Sequence, residues 1–154
     1  MLEAISAQSG LLITRTESGE EYLGLLNRIR IFISADVGMG EYMIKNFEAM
    51  ACGCVLLAWS QGVEEDSALG FEDGQNVMLY RSAEEAVEKI NRLKTNPELA
   101  ERIARAGQTF VEQHYTFARV GRDLAKAIEQ PMRPWPGVSA LQRMWVRLRY
   151  GLKV

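Results

Sequence analysis

Short apolar runs alternate with segments of helical spacing over the first half of the chain. The runs are rich in aliphatic residues, and each predicts a strand: LLIT at 11–14, IFIS at 31–34, CVLLAW at 54–59 and NVMLY at 76–80. A helix is expected after Ser18 and Glu21, which have capping-box spacing. Another is expected from about Tyr42 to Ala51, with Gly53 beyond its end, whereas the acidic stretch 60–74 is expected to be a loop.

From Ser82 onward the chain has only helical patterns. Ser82 and Glu85 form a second capping box, and Asn96 followed by Pro97 predicts the end of one helix and the start of the next. That next helix is expected to run to about Gly107, and a further helix follows it. Strands that alternate with helices predict a parallel sheet flanked by helices. The expected fold class is therefore Rossmann-like α/β with a helical C-terminal third.

Length and cysteine content limit the class of protein. The 154 residues suffice for one domain with its own core but are few for a complete two-domain enzyme. Cys52 and Cys54 match no zinc or redox spacing, which favours free thiols in a reducing compartment. The chain shows neither a membrane-spanning apolar run nor the basic region of a secretory signal. We therefore expect a cytoplasmic protein.

Charge is distributed unevenly along the chain. The formal net charge is −2, yet residues 131–154 contain no acid and five cations: Arg133, Arg143, Arg147, Arg149 and Lys153. We expect residues 1–130 to form the Rossmann-like domain and residues 131–154 to form a basic amphipathic tail. An anionic contact is expected for the tail only, and no nucleic-acid partner for the acidic body.

Within the tail, residues 141–154 have the spacing of an amphipathic helix. One face would carry the large apolar side chains Leu141, Met144, Trp145, Leu148 and Leu152. This pattern suits a closing helix that packs on another domain. It equally suits a helix that lies at the inner face of a membrane. Both interpretations stay open at the level of sequence.

The loop Asp36–Gly40 is the first candidate for a binding site. Open parallel sheets bind ligands beyond the carboxyl ends of their strands, where this loop follows the run 31–34. Gly38, Met39 and Gly40 precede a predicted helix, whose free N–H groups and dipole favour an anion such as a phosphate. The alternative is a tight turn that requires glycine.

Three charged residues accompany this loop. Glu48 lies mid-helix and is either a surface residue or a carboxylate that accepts hydrogen bonds from the adjacent hydroxyls of a sugar. Glu41 is either a first-turn acid favoured by the dipole or a second ligand contact, and Lys45 is either a phosphate contact or a solvent-facing lysine. His114, the only histidine, lies in no catalytic triad or metal-like cluster, so we expect it to be structural and expect no metal site.

The run NFEAMACGCVLLA resembles the signature lEAMAcGxPVva of retaining glycosyltransferases built from two Rossmann-like domains, the GT-B architecture. The segment from Asp73 to Glu85 and the helices after NPELAERIARAG are also similar to that family. The similarity extends from about Ile29 to Ile128 and is closest to bacterial enzymes of the spore-maturation type. It implies the donor-binding C-terminal half of a hexosyltransferase-like enzyme. Such an enzyme takes a nucleotide-diphosphate sugar as substrate, needs no cofactor, and transfers the sugar to a glycan or lipid-linked acceptor.

The resemblance also implies roles for individual residues. Glu48 matches the second acid of the family's Glu-x7-Glu motif, which binds the nucleotide ribose. The first acid, which contacts the donor sugar, corresponds to Gly40, so Glu41 takes this catalytic role only if the loop shifts by one residue. Gly38 to Gly40 match the loop whose amides approach the diphosphate and the sugar.

Two parts of the family pattern are not recognisable before Leu11: a strand–helix pair that carries diphosphate contacts, and the acceptor-binding N-terminal domain. We therefore expect an excised fragment or a stand-alone remnant that is inactive alone and whose partner is the missing domain. The alternative is a non-catalytic α/β interaction or regulatory domain with a vestigial cleft.

Overall fold

A computed structural model describes residues 5, 11–131, 134 and 137–151 of the chain. They fall into two compact units, residues 1–120 and 121–154. The helices and strands are, in chain order, α1 (Glu20–Leu26), β1 (Ile31–Ser34), α2 (Ile44–Ala51), β2 (Val55–Trp59), α3 (Val63–Leu69), β3 (Met78–Tyr80), α4 (Ala83–Thr95), α5 (Pro97–His114), α6 (Phe117–Glu129) and α7 (Ala140–Tyr150).

The three strands of the first unit form a parallel sheet in the order β1, β2, β3. Ile31 of β1 pairs with Val55 of β2, and Leu57 of β2 pairs with Met78 of β3. The first four residues of β2 are each at most 1% exposed, as expected for a parallel strand that is covered on both faces. The Rossmann-like α/β class with a helical C-terminal third is confirmed.

Successive residues of β2 point to opposite faces of the sheet and so contribute to two different clusters. Val55 and Leu57 pack with Tyr80 against the apolar faces of α4 and the start of α5, which include Ile90 and Ile103. On the other face, a separate cluster joins alternate residues of β2 with α2 and the far end of α5: Met50, Leu56, Ala58, Phe71, Val77 and Val111. The long helix α5 therefore contributes to both sides of the core.

The caps of the long helices follow the sequence closely. Asn96 Oδ1 accepts a hydrogen bond from Leu99 N at 3.0 Å, and Pro97 opens α5, as expected. The side chain of Ser82 accepts from Glu85 N at 3.1 Å, while the carboxylate of Glu85 accepts from the residue before the cap. The predicted end of α5 at Gly107 is wrong: the helix continues to His114, because nothing at Gly107 interrupts its hydrogen bonding.

The predicted strand at 11–14 is also wrong. This segment has no regular secondary structure, and its side chains Leu12 and Ile13 are 72% and 58% exposed. A strand needs a partner for its N–H and C=O groups, which apolar sequence alone does not supply. The segment instead lines an apolar cleft of about 520 Å³, together with Ile29 and Ile31.

Three further boundaries differ from the sequence-based prediction. The expected loop at 60–74 contains α3, which has three acids in its first turn and ends at Gly70 in the left-handed conformation. The expected cap at Ser18 is displaced by one residue, because Gly19 caps α1 and Glu21 accepts from Glu17 N. Finally, α2 begins at Ile44 rather than near Tyr42.

The second unit contains the tail helix α7. Ser139 and Gln142 form a reciprocal capping box at its start, and Gly151 ends it in the left-handed conformation. The helix begins one residue before the predicted span 141–154 and ends before the end of that span. Leu152 and Lys153 lie outside the described residues, as does Arg133. None of the helices formed by the described residues is long and apolar enough to cross a membrane.

Gly107 lies against the backbone of Asn76, in the loop before β3, and the effect of this contact on stability can be tested. A Cβ at position 107 would lie 2.7 Å from the carbonyl oxygen of Asn76 and 3.3 Å from the methyl group of Met50. We expect Gly107→Ala to destabilise the protein by about 1–3 kcal/mol in urea unfolding, because backbone must move to relieve the contact. Gly24→Ala is the matched control: a Cβ there meets nothing within 4 Å, so alanine should stabilise α1 by up to about 1 kcal/mol. Equal stability of both variants would contradict the close packing at Gly107.

Candidate functional site

Polar side chains gather at the carboxyl ends of the three strands, the edge at which parallel sheets bind ligands. Ser34, the last residue of β1, is buried and donates its hydroxyl proton to Asp36 Oδ2 at 2.5 Å. The hydroxyl of Tyr80, at the end of β3, donates to the carbonyl oxygen of Ser34 at 2.9 Å. Burial, and then the negative charge of Asp36, raise the pKa of Tyr80 to about 12, so this hydroxyl remains a donor at neutral pH.

Asp36 connects the end of β1 to the first turn of α2. Its Oδ1 lies 3.2 Å from Lys45 Nζ, and its Oδ2 accepts from Asn46 Nδ2 at 3.5 Å. Asn46 is fully buried, yet its Oδ1 has no hydrogen-bond partner among the described residues. An unpaired buried acceptor is costly, and such a group often marks a position that a ligand or ordered water completes.

The side chain of Gln61 forms hydrogen bonds with both ends of the glycine loop, at Asp36 and at Gly40. Its side-chain nitrogen donates to the carbonyl oxygen of Asp36 at 2.8 Å, and its side-chain oxygen accepts from Gly40 N at 3.0 Å. Gly38 and Gly40 both have positive φ, at 75° and 73°, which other residues rarely adopt. A Cβ at either position would meet nothing within 4 Å. The loop is therefore a turn that requires glycine, and it also leaves open space above its backbone.

A second buried carboxylate lies beside this loop. Asp66, in the first turn of α3, is 7% exposed and accepts hydrogen bonds from the hydroxyls of Tyr42 at 2.5 Å and Ser60 at 2.6 Å. Burial, and then the hydrogen bond to Asp66, raise the pKa of Tyr42 well above its ordinary value. Gln61 N also donates to the Tyr42 hydroxyl, at 3.4 Å, so the Asp66 network and the glycine loop are joined.

The predicted site residues divide into two groups. Lys45 lies beside the glycine loop, although it is paired with Asp36 and its side chain is 42% exposed. Glu48, one turn further along α2, is exposed and accepts from the hydroxyl of Tyr22 in α1 at 3.1 Å. Met39 and Glu41 are also exposed, and Glu41 makes no hydrogen bond or ion pair with another described residue. The structure thus places the loop and Lys45 together, whereas Glu48 contacts α1.

Several residues of this network were not predicted from the sequence: Ser34, Asn46, Ser60, Gln61 and Asp66. Ser34 and Ser60 have a visible signal, since each ends an apolar run at the ligand-binding edge. Asn46 and Asp66 have none, because a polar residue on a helix is usually exposed. The ring of His114 lies 5.1 Å from that of Phe110 in the same helix, and its structural role stays a prediction.

The contact between Tyr22 and Glu48 can be tested by titration. Burial, followed by the hydrogen bond to Glu48 and the charge of Glu48, raises the pKa of Tyr22 from 10.0 to about 12. The stability that this shift contributes is present below pH 10 and is lost as the pH rises through about 12. We expect Glu48→Ala to lower the pKa of Tyr22 while leaving it above 10, because burial is the largest cause. Glu41→Ala should leave it unchanged. NMR titration of labelled tyrosine rings measures both, and an unaltered Tyr22 in Glu48→Ala would contradict the contact.

Comparisons with known proteins agree with this architecture. The family model described as "Glycosyl transferase-like" matches residues 11–126. Among solved structures, the C-terminal domain of a group 1 glycosyl transferase from Francisella tularensis superposes with a TM-score of 0.56 at 21% sequence identity, which shows a shared fold. The match covers 75% of this chain and 61% of that chain. No match was found among curated proteins. Because the family match spans most of the sequence, the chain belongs to the glycosyl transferase-like family.

Proposed function

We propose that the chain is the donor-binding half of a glycosyltransferase. It takes a nucleotide-diphosphate sugar as substrate, without a cofactor, and the sugar passes to a glycan or lipid-linked acceptor held by another domain. The observation that carries the proposal is the open glycine loop at the carboxyl end of β1, three residues before the helix that bears Lys45 and Glu48. The backbone N–H groups of this loop and the ammonium group of Lys45 both attract negative charge, so together they favour an anionic ligand such as a diphosphate.

The diphosphate would bind along the loop Gly38–Met39–Gly40. Backbone N–H groups in an αL-containing turn can form an anion-binding concavity, and the dipole of α2 would add to it. In this loop, Gly40 N would exchange its bond to Gln61 Oε1 for one to a phosphate oxygen. The ammonium group of Lys45 is fixed by Asp36 but remains accessible, so it can contact a phosphate oxygen without first being ordered. In the transfer step, these groups stabilise the negative charge that develops on the departing diphosphate.

Glu48 would bind the nucleotide ribose. Its Oε2 accepts the Tyr22 hydroxyl, which fixes the carboxylate and leaves the other oxygen for an adjacent ribose hydroxyl. Glu41 would contact the donor sugar from the end of the loop, where its exposed carboxylate has no partner among the described residues. We also propose that the sugar is transferred with retention of configuration at its anomeric carbon, and the only ground for this is the resemblance to retaining glycosyltransferases.

The proposed location is the cytoplasm. The support is chemical: Cys52 and Cys54 are both free thiols, and Cys54 is buried. Burial raises the pKa of Cys54 to about 11, which keeps it in the unreactive thiol form. Cysteines of proteins in oxidising compartments are generally paired.

Nucleotide binding provides the direct test of the site. We expect UDP or GDP to bind in a calorimetric titration, and Glu48→Gln to weaken that binding by about 10-fold or more, as for a lost charged hydrogen bond. Lys45→Met should weaken nucleotide binding as well, by removing a phosphate contact. Glu41→Gln should weaken binding of the nucleotide sugar but not of the nucleotide alone.

Glu112→Gln is the matched control, because Glu112 is an exposed carboxylate on α5 outside the site. Unchanged affinity in Glu48→Gln would contradict the ribose role. A parent chain that binds no nucleotide at millimolar concentration would favour the non-catalytic interaction domain instead.

The proposal also predicts that this chain alone transfers no sugar. The family resemblance assigns the acceptor to a separate domain, and transfer requires the acceptor to be held against the donor. The purified chain, given radiolabelled nucleotide sugars and bacterial lipid and glycan extracts, should yield no labelled product. A complete two-domain glycosyltransferase in the same assay is the positive control. Product from the 154-residue chain would contradict the division of labour proposed here.

A further inference from the structure

Helix α7 has an apolar face that the donor site does not use. Four large side chains on it are more than half exposed: Leu141 at 73%, Met144 at 54%, Trp145 at 53% and Leu148 at 79%. At 100° per residue, they fall within an arc of about 100° on one side of the helix. A contiguous apolar strip of this kind marks a contact surface.

The charged residues of α7 all have the same sign. Arg143, Arg147 and Arg149 lie within Ala140–Tyr150, and the helix contains no acid. On the helical wheel, Arg149 borders one side of the apolar strip and Arg147 borders the other. Long arginine side chains in these positions reach phosphate groups while the strip between them enters an apolar layer.

Aromatic residues reinforce this arrangement. The guanidinium of Arg149 lies 4.8 Å from the ring centroid of Trp145 and 5.7 Å from that of Tyr150. The two rings are in edge-to-face contact at 6.2 Å. Tryptophan and tyrosine favour the boundary between lipid headgroups and acyl chains, because each has an apolar ring with a polar atom.

Helix α6 provides a contrast within the same chain. It also carries an exposed apolar stripe: Phe117, Val120, Leu124 and Ile128. Its charges, however, are of both signs, since Asp123 and Glu129 accompany three cations. Mixed charge around an apolar stripe is typical of packing on another protein surface, whereas the uniformly cationic α7 is complementary to an anionic one.

We propose that α7 binds the surface of a bilayer that contains anionic phospholipid. The helix lies parallel to the bilayer, with Leu141, Met144, Trp145 and Leu148 at the level of the upper acyl chains and with Arg147 and Arg149, which border the strip, on lipid phosphates. The strip is short, so binding is reversible and depends on both the apolar contacts and the charges. This proposal is independent of the nucleotide site, because none of its residues belongs to that site.

Vesicle sedimentation of the full chain tests the proposal. The protein should sediment with vesicles of phosphatidylcholine and phosphatidylglycerol at 0.05 M salt, much less with phosphatidylcholine alone, and less again at 0.5 M salt. The triple variant Arg143→Gln, Arg147→Gln, Arg149→Gln should lower the partition coefficient by about 100-fold. The double variant Leu141→Ser, Leu148→Ser should lower it strongly as well.

Matched variants of α6 serve as controls. Arg119→Gln, Arg122→Gln, Lys126→Gln removes the same number of cations and gives the same net charge. Leu124→Ser, Ile128→Ser removes two apolar side chains that are also more than half exposed, at 60% and 73%. Both controls should bind anionic vesicles as the parent does.

Two results would overturn the proposal. One is no sedimentation of the parent with anionic vesicles at low salt, which would favour a protein surface as the partner of α7. The other is equal loss of binding in the α6 and α7 variants, which would indicate a general charge effect. Nucleotide titration of the α7 variants should be unchanged, so a failure here is distinguishable from a failure of the donor site.

Discussion

The burial of β2 on both faces is the constraint on which the arrangement of this molecule depends. Val55 to Ala58 are almost inaccessible to solvent, and an unpaired polar side chain among them would cost several kcal/mol. Polar residues can therefore enter the sheet region only at the ends of its strands. Ser34 and Ser60 lie at the ends of β1 and β2 on the carboxyl side, so the apolar core ends at that edge and the polar side chains gather there.

Two buried or partly buried carboxylates organise that edge, and hydroxyl groups hold both. Asp36 accepts from Ser34 and is paired with Lys45, whereas Asp66 accepts from Tyr42 and Ser60. The first network connects the end of β1 to α2, the helix that follows β1. The second connects the end of β2 to α3, the helix that follows β2, and also to Tyr42. The loop between them is therefore fixed by the Gln61 side chain as well as by its own glycines. A binding loop fixed in this way loses little conformational freedom when a ligand arrives.

The sequence was sufficient for those features that depend on local pattern. The runs at 31–34 and 54–59, the caps at Ser82 and Asn96, and the glycine loop lie where periodicity and capping rules placed them. The run at 11–14 has equally apolar residues but no strand, because strand formation depends on a partner elsewhere in the chain. The buried Asn46 and Asp66 could not be found for a related reason: only packing distinguishes a buried polar residue on a helix from an exposed one. The roles of Glu41, Lys45 and Glu48 stay predictions, although the structure gives each a definite position.

The hydrogen bond from Gly40 N to the side chain of Gln61 determines what an anion has to displace in order to bind this loop. The amide proton already has an acceptor, so binding is an exchange in which a neutral carboxamide oxygen leaves and another oxygen replaces it. Gly40 N makes one hydrogen bond before the exchange and one after it, so only the difference in strength between these two bonds can drive the exchange. A water molecule or a sugar hydroxyl gains almost nothing by replacing an amide oxygen, whereas a charged phosphate oxygen forms a bond about twice as strong. In the proposed donor site, the Gln61 oxygen is the acceptor that a phosphate oxygen would have to replace, so the loop would favour a charged ligand although residues 36–40 include no basic side chain.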